Sequence, residues 1–396
     1  MRPIFRLTLV ITIFIIIPFL GGIFFGKSPS HIIYITFVTF IILNLVFEIL
    51  FRFFFKILNE SSYIPKKRIA FDELYIEPHP YLPYVYKKNF KGPKSSRLKY
   101  PLCTDYYSAE LKSNNIRFYD GSNGDREVVI PKPKGLIRII CMGSSTTGNY
   151  ISENNKNYSY PIELEKELKK KYKKNIEVNN CAMGGYNSAE LIVQFILNII
   201  DTKPDYLIIT PGFTDIKSYF TPNYDSDYSH SRKNLAEIYW RILVQSKIPK
   251  PPLQYIDFII NEWFPEFNMR NNVLDAVSKG GLDVKIKPEK GLEIFRRNLK
   301  IIVDLCKTND IELVLCTYCM YLYDEIKNDQ ISSLYYKTVL KENKIIKNLA
   351  IENNLLLIDN ARLMPKENSN FVDSIHYTIK GMKTFAKIIS DQLVIK

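Results

Sequence analysis

A serine-centred turn near the middle of the chain and an Asp-x-x-His pair near its end are the residues best placed to do chemistry. The turn is Cys141-Met142-Gly143-Ser144-Ser145-Thr146-Thr147-Gly148, and it follows the apolar run Leu136-Ile137-Arg138-Ile139-Ile140, which reads as a buried strand. A turn of this kind holds a serine oxygen at the mouth of a parallel sheet, with backbone N–H groups aimed at the same spot. Serine-rich turns after strands are common, so this segment alone leaves an ordinary turn equally open. The pair is Asp373-Ser374-Ile375-His376, just before a final amphipathic helix. Of the histidines His31, His79, His230 and His376, only His376 has both a carboxylate three residues earlier and a helix after it. A serine needs a base to become a nucleophile, and the base needs a partner that fixes its tautomer. Asp373 and His376 supply both from one loop.

The elements that must position these groups alternate. The pattern predicts strands over 136–142, 176–180, 205–210, 311–317 and 355–358. It predicts helices over 158–173, 186–200, 289–308, 334–353 and 377–393. Such alternation argues for a parallel sheet covered on both faces, with ligands beyond the carboxyl ends of the strands.

From about residue 72 to 396 the chain resembles the SGNH, or GDSL-like, hydrolase family. Gly143-Ser144-Ser145-Thr146-Thr147 resembles the first block of a membrane-tethered bacterial branch, and Asp373-x-x-His376 matches the last. Glu77-Pro78-His79-Pro80 and Asn115-Ile116-Arg117-Phe118 resemble that branch's lead-in. The second block is Asn180-Cys181-Ala182-Met183-Gly184-Gly185, and the resemblance gives the oxyanion-donating N–H to Gly185. The resemblance implies a three-layer α/β/α flavodoxin-like domain, a catalytic set of Ser145, Asp373 and His376, and an oxyanion hole from Ser145, Gly185 and the third block. Ser145, Gly185 and Thr214 each follow a predicted strand. That third block departs from the family: Gly212-Phe213-Thr214-Asp215 carries threonine where the family has an asparagine amide. A hydroxyl donates one hydrogen bond with different reach, and losing one oxyanion donor costs about 100- to 1000-fold in rate. Thr214 substitutes as donor, another group such as Asn187 moves in, or the site is slow or adapted to another acyl acceptor. A working but altered site is the favoured expectation.

Ahead of this domain, residues 7–25 and 32–55 are almost wholly apolar, each long enough to cross a bilayer core of about 30 Å as a helix. They are expected to form a transmembrane hairpin over 1–56, since no small-residue cleavage pattern precedes Lys27 and a second apolar segment follows at once. Asn44 and Glu48, one turn apart, pair with the first helix or reach the interface. Arg2 and Arg6 precede the hairpin; Arg52, Lys56, Lys66, Lys67 and Arg68 follow it; the link carries only Lys27. The positive-inside rule then puts the hydrolase-like domain in the cytoplasm of a bacterial inner-membrane protein, and free cysteines agree. Relatives that act outside the membrane make an extracytoplasmic domain the alternative. Residues 57–134, rich in Tyr, Pro and Lys, are expected as an irregular lead-in. The domain is expected over 135–396, with an insertion at 217–288 that is a lid, a pocket wall or a packed helical excursion.

Composition narrows the class further. The 396 residues carry a formal charge of +13. No nucleic-acid recognition motif or stacking platform accompanies it, so a solvated lysine face or attraction to anionic headgroups is expected. The Cys316-x-x-Cys319 pair lacks a second ligand pair, which argues for buried thiols rather than zinc. No metal, nucleotide or other cofactor is implied. The expected activity is hydrolysis of an acyl ester, O-acetyl included, of a glycan or lipid. An acyltransferase would use the same residues, and a catalytically silent glycan- or lipid-binding protein is the rival from another class.

Overall fold

The computed structural model describes residues 28–57 with Leu20 and Ile23, and residues 76–94, 98–100, 103–107, 110–118, 127–148, 151–153, 156–233 and 281–396. The chain divides into two compact units, residues 1–71 with 237–276, and residues 72–236 with 277–396.

In the first unit, helix α1 spans Pro29–Ile57. Its 29 residues give about 43 Å at 1.5 Å per residue, and His31–Leu50 is long and apolar enough to cross a membrane. A signal sequence satisfies the same test. Asn44 donates to the Phe40 carbonyl at 2.6 Å, and Glu48 accepts from Arg52 one turn on at 2.6 Å, so both polar groups find partners on their own helix. The expected first span, 7–25, lies outside the described residues apart from Leu20 and Ile23, as do residues 234–280 of the expected insertion.

The second unit is built on five parallel strands: β1 Ile137–Gly143, β2 Ile176–Asn180, β3 Tyr206–Thr210, β4 Glu312–Cys316 and β5 Leu356–Ile358. Their order is β2-β1-β3-β4-β5, the flavodoxin-like doubly wound arrangement. All five strands lie within a residue or so of the positions expected. The three innermost are mainly apolar because both faces are covered; the buried exception is Arg138 in β1, which pairs with Glu177 and donates to the Val129 carbonyl at 3.0 Å. Ile139, Cys141, Val178, Ile208, Val314 and Cys316 face one core. Helices α2 (Tyr160–Tyr172) and α6 (Ile379–Gln392) cover it with Leu164, Leu168, Met382, Phe385 and Ile389. The alternate positions Ile140, Met142, Leu207, Ile209 and Leu315 are equally buried. Helices α3 (Ser188–Gln194), α4 (Glu289–Thr308) and α5 (Gln330–Glu352) complete the third layer. Each fully buried aliphatic or aromatic side chain here contributes about 1.5–3 kcal/mol.

Local chemistry sets the helix ends. Pro161 presets the first turn of α2, and Lys169, Lys170 and Lys171 crowd its last turn, where cations suit the helix dipole. Asn187 and Glu190 form a reciprocal capping box at the start of α3. That helix runs on as a π-turn over Phe195–Ile199 and a 3₁₀ turn over Ile200–Thr202. Cys141, Cys181, Cys306, Cys316 and Cys319 are free, buried thiols.

The lead-in expected to be irregular holds short antiparallel ribbons. Ile76–Glu77 pairs with Val85–Tyr86, Lys91–Lys94 with Glu110–Lys112, and Leu98–Tyr100 with Cys103–Tyr107. Such strands are too short to show a readable alternation. Arg117, from the second lead-in motif, pairs with Glu77 of the first and donates to the Tyr86 carbonyl at 2.7 Å.

Candidate active site

The serine turn closes tightly at the end of β1. Thr147 and Gly148 both donate backbone N–H to the Ser144 carbonyl, at 3.1 and 3.0 Å. A Cβ at Gly143 would overlap the Thr147 side chain, so glycine is what lets the turn fold back on itself. Ser144, Thr146 and Thr147 are buried, while Ser145 keeps partial exposure. The sequence offered two adjacent serines, and the fold exposes the second.

The Asp373–His376 loop is pinned from several sides. Phe371 and Tyr377 form a β-bridge, Val372 donates to the His376 carbonyl at 2.9 Å, and Tyr321 donates to the Ser374 carbonyl at 2.8 Å. Helix α6 starts immediately after, with the Thr378 side chain accepting from Gly381 N–H. Gly381 runs so close to the Asn370 carbonyl that any side chain there would force backbone to move.

These two loops meet. His376 Nε2 lies 2.9 Å from Ser145 Oγ, and His376 Nδ1 lies 2.7 Å from Asp373 Oδ2. The other carboxylate oxygen, Oδ1, accepts the backbone N–H of Ile375 at 2.8 Å and of His376 at 2.7 Å. Burial disfavours the Asp373 charge, but the bonds from His376 and the two N–H groups outweigh it and hold the carboxyl below its usual range. The ionised carboxylate therefore selects the imidazole tautomer with its proton on Nδ1, leaving the Nε2 lone pair toward the serine.

Gly184 and Gly185 follow β2, with Gly185 at φ +78°. A Cβ placed on Gly184 would sit 4.0 Å from the Ser145 Cβ, so this loop adjoins the serine. Among the described residues, nothing accepts the backbone N–H of Ser145 or Gly185. Thr214 sits at the end of the same loop cluster, but its hydroxyl donates to the Tyr186 carbonyl at 2.6 Å. A hydroxyl has a single proton, so in this arrangement Thr214 has none left for an oxyanion. Asn187 spends its side-chain oxygen capping α3 at Ala189 and Glu190, and its amide nitrogen is buried without a partner among the described residues.

Several supporting residues escaped the sequence reading because they act through distant contacts. Asp215 accepts from the Ser188 hydroxyl at 2.6 Å and the Tyr228 hydroxyl at 2.7 Å, tying the third block to the start of α3. Burial pushes the Asp215 carboxyl up, against those bonds. Arg232 pairs with Glu190 at 2.7 Å and also donates to the Gly185 carbonyl. Glu342 of α5 accepts Phe213 N–H and the Tyr219 hydroxyl, both at 2.9 Å, and burial pushes its carboxyl up to about 8. A cavity of about 270 Å³ lies beside this cluster, bounded by Tyr81 and Pro83 of the lead-in and by Asn187, Asp227, Arg232 and Lys233.

Comparison with protein-family models finds no match, and neither does comparison with curated protein sequences. Solved structures similar to the chain include GDSL-like lipases and an acetylxylan esterase. A proposed GDSL-like lipase from Parabacteroides merdae is 14% identical, over 65% of this chain and 94% of its own, with a TM-score of 0.41. Axe2, an acetylxylan esterase from Geobacillus stearothermophilus, is 15% identical over 66% and 95%, with a TM-score of 0.40. A GDSL-like lipase from Bacteroides thetaiotaomicron is 14% identical over 64% and 86%, with a TM-score of 0.36.

Proposed function

We propose that the chain is a membrane-anchored serine esterase acting on an acyl ester, O-acetyl included, of a glycan or lipid. The observation that carries this reading is the unbroken hydrogen-bonded chain from Ser145 Oγ through both imidazole nitrogens of His376 to Asp373. Ser145 attacks the ester carbonyl while His376 Nε2 takes the hydroxyl proton. The resulting imidazolium is stabilised by Asp373 and returns the proton to the leaving alcohol. An acyl-serine remains; water, deprotonated by the same His376, attacks it and releases the acid. The backbone N–H groups of Ser145 and Gly185 hold the oxyanion through both tetrahedral steps. With the Thr214 proton committed to Tyr186, the hole has two donors, and the site is slower than one with an additional amide.

Anchoring rests on the apolar N-terminal segments, and the lysine and arginine placement around them favours a cytoplasmic active site. The reading is tested by assaying the full-length protein in detergent on acetylated oligosaccharides and on longer acyl esters. Release of acetate by the wild type and none by Ser145→Ala supports it. Equal release by both, or none from any ester, overturns it.

A further inference from the structure

Gly185 contributes to the oxyanion hole through its N–H, which belongs to the peptide unit joining it to Gly184. The carbonyl of that same unit is Gly184 C=O, and it accepts a hydrogen bond from the Tyr84 hydroxyl. Tyr84 comes from the lead-in, about a hundred residues upstream, and is 2% exposed. A trans peptide is planar, with C=O and N–H pointing in opposite directions. Fixing the carbonyl toward Tyr84 therefore fixes the Gly185 N–H away from it, and among the described residues that N–H has no acceptor. The Gly184 Cα end of this unit lies against Ser145. Hydrogen bonding at the carbonyl also polarises the amide and strengthens its N–H as a donor.

The Tyr84 hydroxyl is itself held in place. Its ring packs on Tyr186 with centroids 5.6 Å apart, and the Tyr186 hydroxyl donates to the Tyr84 backbone carbonyl. Leu82 and Val85 on either side are buried. Tyr186 N–H closes a turn on the Met183 carbonyl at 3.2 Å, and with two permissive glycines at its centre the 184–185 peptide can still flip between turn forms unless a contact from outside the turn holds its carbonyl. Arg232 holds the next peptide unit in the same way, through the Gly185 carbonyl. The two contacts clamp consecutive carbonyls of one loop.

We infer that Tyr84 is a positioning residue of the active site: its hydroxyl orients and polarises the Gly184–Gly185 peptide so that the Gly185 N–H meets the developing oxyanion. The lead-in is then part of the catalytic apparatus as well as a connection to the N-terminal segments. The inference rests on the esterase reading above.

The test is Tyr84→Phe, which keeps the ring, its packing on Tyr186 and the backbone carbonyl while removing the one hydroxyl. The full-length protein is assayed on a soluble acetyl ester, with active sites counted by fluorophosphonate titration. The expected result is a fall in kcat per titrated site of about 10- to 100-fold with KM within about twofold, the scale for misplacing a transition-state contact. A purely structural role would lower the number of titratable sites and leave kcat per site and KM as in the wild type; that result overturns the inference while leaving the esterase reading standing. A wild type that neither turns over the ester nor titrates overturns the esterase reading, and this inference with it.

Discussion

Replacing Asp373 by asparagine separates the orienting role of the carboxylate from its structural one. Asparagine keeps an oxygen where Asp373 Oδ1 accepts the Ile375 and His376 N–H groups, so the loop retains its shape. The other oxygen becomes an NH₂ facing His376 Nδ1 across 2.7 Å. An amide donor there favours the tautomer with the proton on Nε2. That proton then faces Ser145 Oγ across 2.9 Å, and the imidazole can no longer accept the serine's. The wrong tautomer in a Ser-His-Asp arrangement costs about 10,000-fold in kcat, which is about 5.4 kcal/mol of transition-state stabilisation. The assay is kcat/KM for Asp373→Asn on a soluble acetyl ester at neutral pH, with circular dichroism to confirm folding. Asp373 in the wild type is held below the ordinary carboxylate range. The stability it contributes is therefore complete above that range and is lost only as pH falls through the depressed value. The deficit of the variant should accordingly persist across the neutral range. A folded variant within about tenfold of wild type would refute the assignment of Asp373 as the orienting group.

Two further changes probe the loop around Thr214. Thr214→Asn restores an amide at the third-block position; with the present hydroxyl proton spent on Tyr186, ester turnover should rise by up to about 100-fold, and unchanged or lower turnover on steady-state assay would count against a hole short of one donor. Glu342 is buried and pushed up to about 8, so its folded form holds a proton that the unfolded chain releases at lower pH. Its contribution to stability therefore declines as pH rises from the ordinary carboxylate range to about 8. Glu342→Gln, which keeps an oxygen to accept Phe213 N–H and turns an NH₂ toward the Tyr219 oxygen, should flatten that decline in urea unfolding measured between pH 5 and 9; an unaltered slope would show that Glu342 does not titrate in this window.

Much of the frame was legible in the sequence because it depends on short-range patterns. The strands announce themselves as short apolar runs between amphipathic helices, and both candidate catalytic loops fall where those elements end. The hydrogen bond between Ser145 and His376, 231 residues apart, joins the serine turn and the Asp-x-x-His loop that the sequence analysis paired. What the sequence withheld is direction. A threonine reads as a possible oxyanion donor until its proton is seen on the Tyr186 carbonyl, a choice made by an acceptor 28 residues away. Tyr84 and Arg232 carry no local motif; each matters because a side chain reaches a carbonyl of the Gly184–Gly185 loop from a distant segment. The distortion at the end of α3 was likewise invisible, since Phe195–Ile199 has nothing in its composition to distinguish a π-turn from an ordinary one.

The central claim is that Ser145 is an activated nucleophile with His376 as its base. Membranes carrying wild type, Ser145→Ala and His376→Ala, treated with a fluorophosphonate probe and compared at equal protein level, test it directly. The account predicts labelling of the wild type alone, on Ser145. A folded wild type that does not label, or a Ser145→Ala protein that labels as strongly as the wild type, would contradict it.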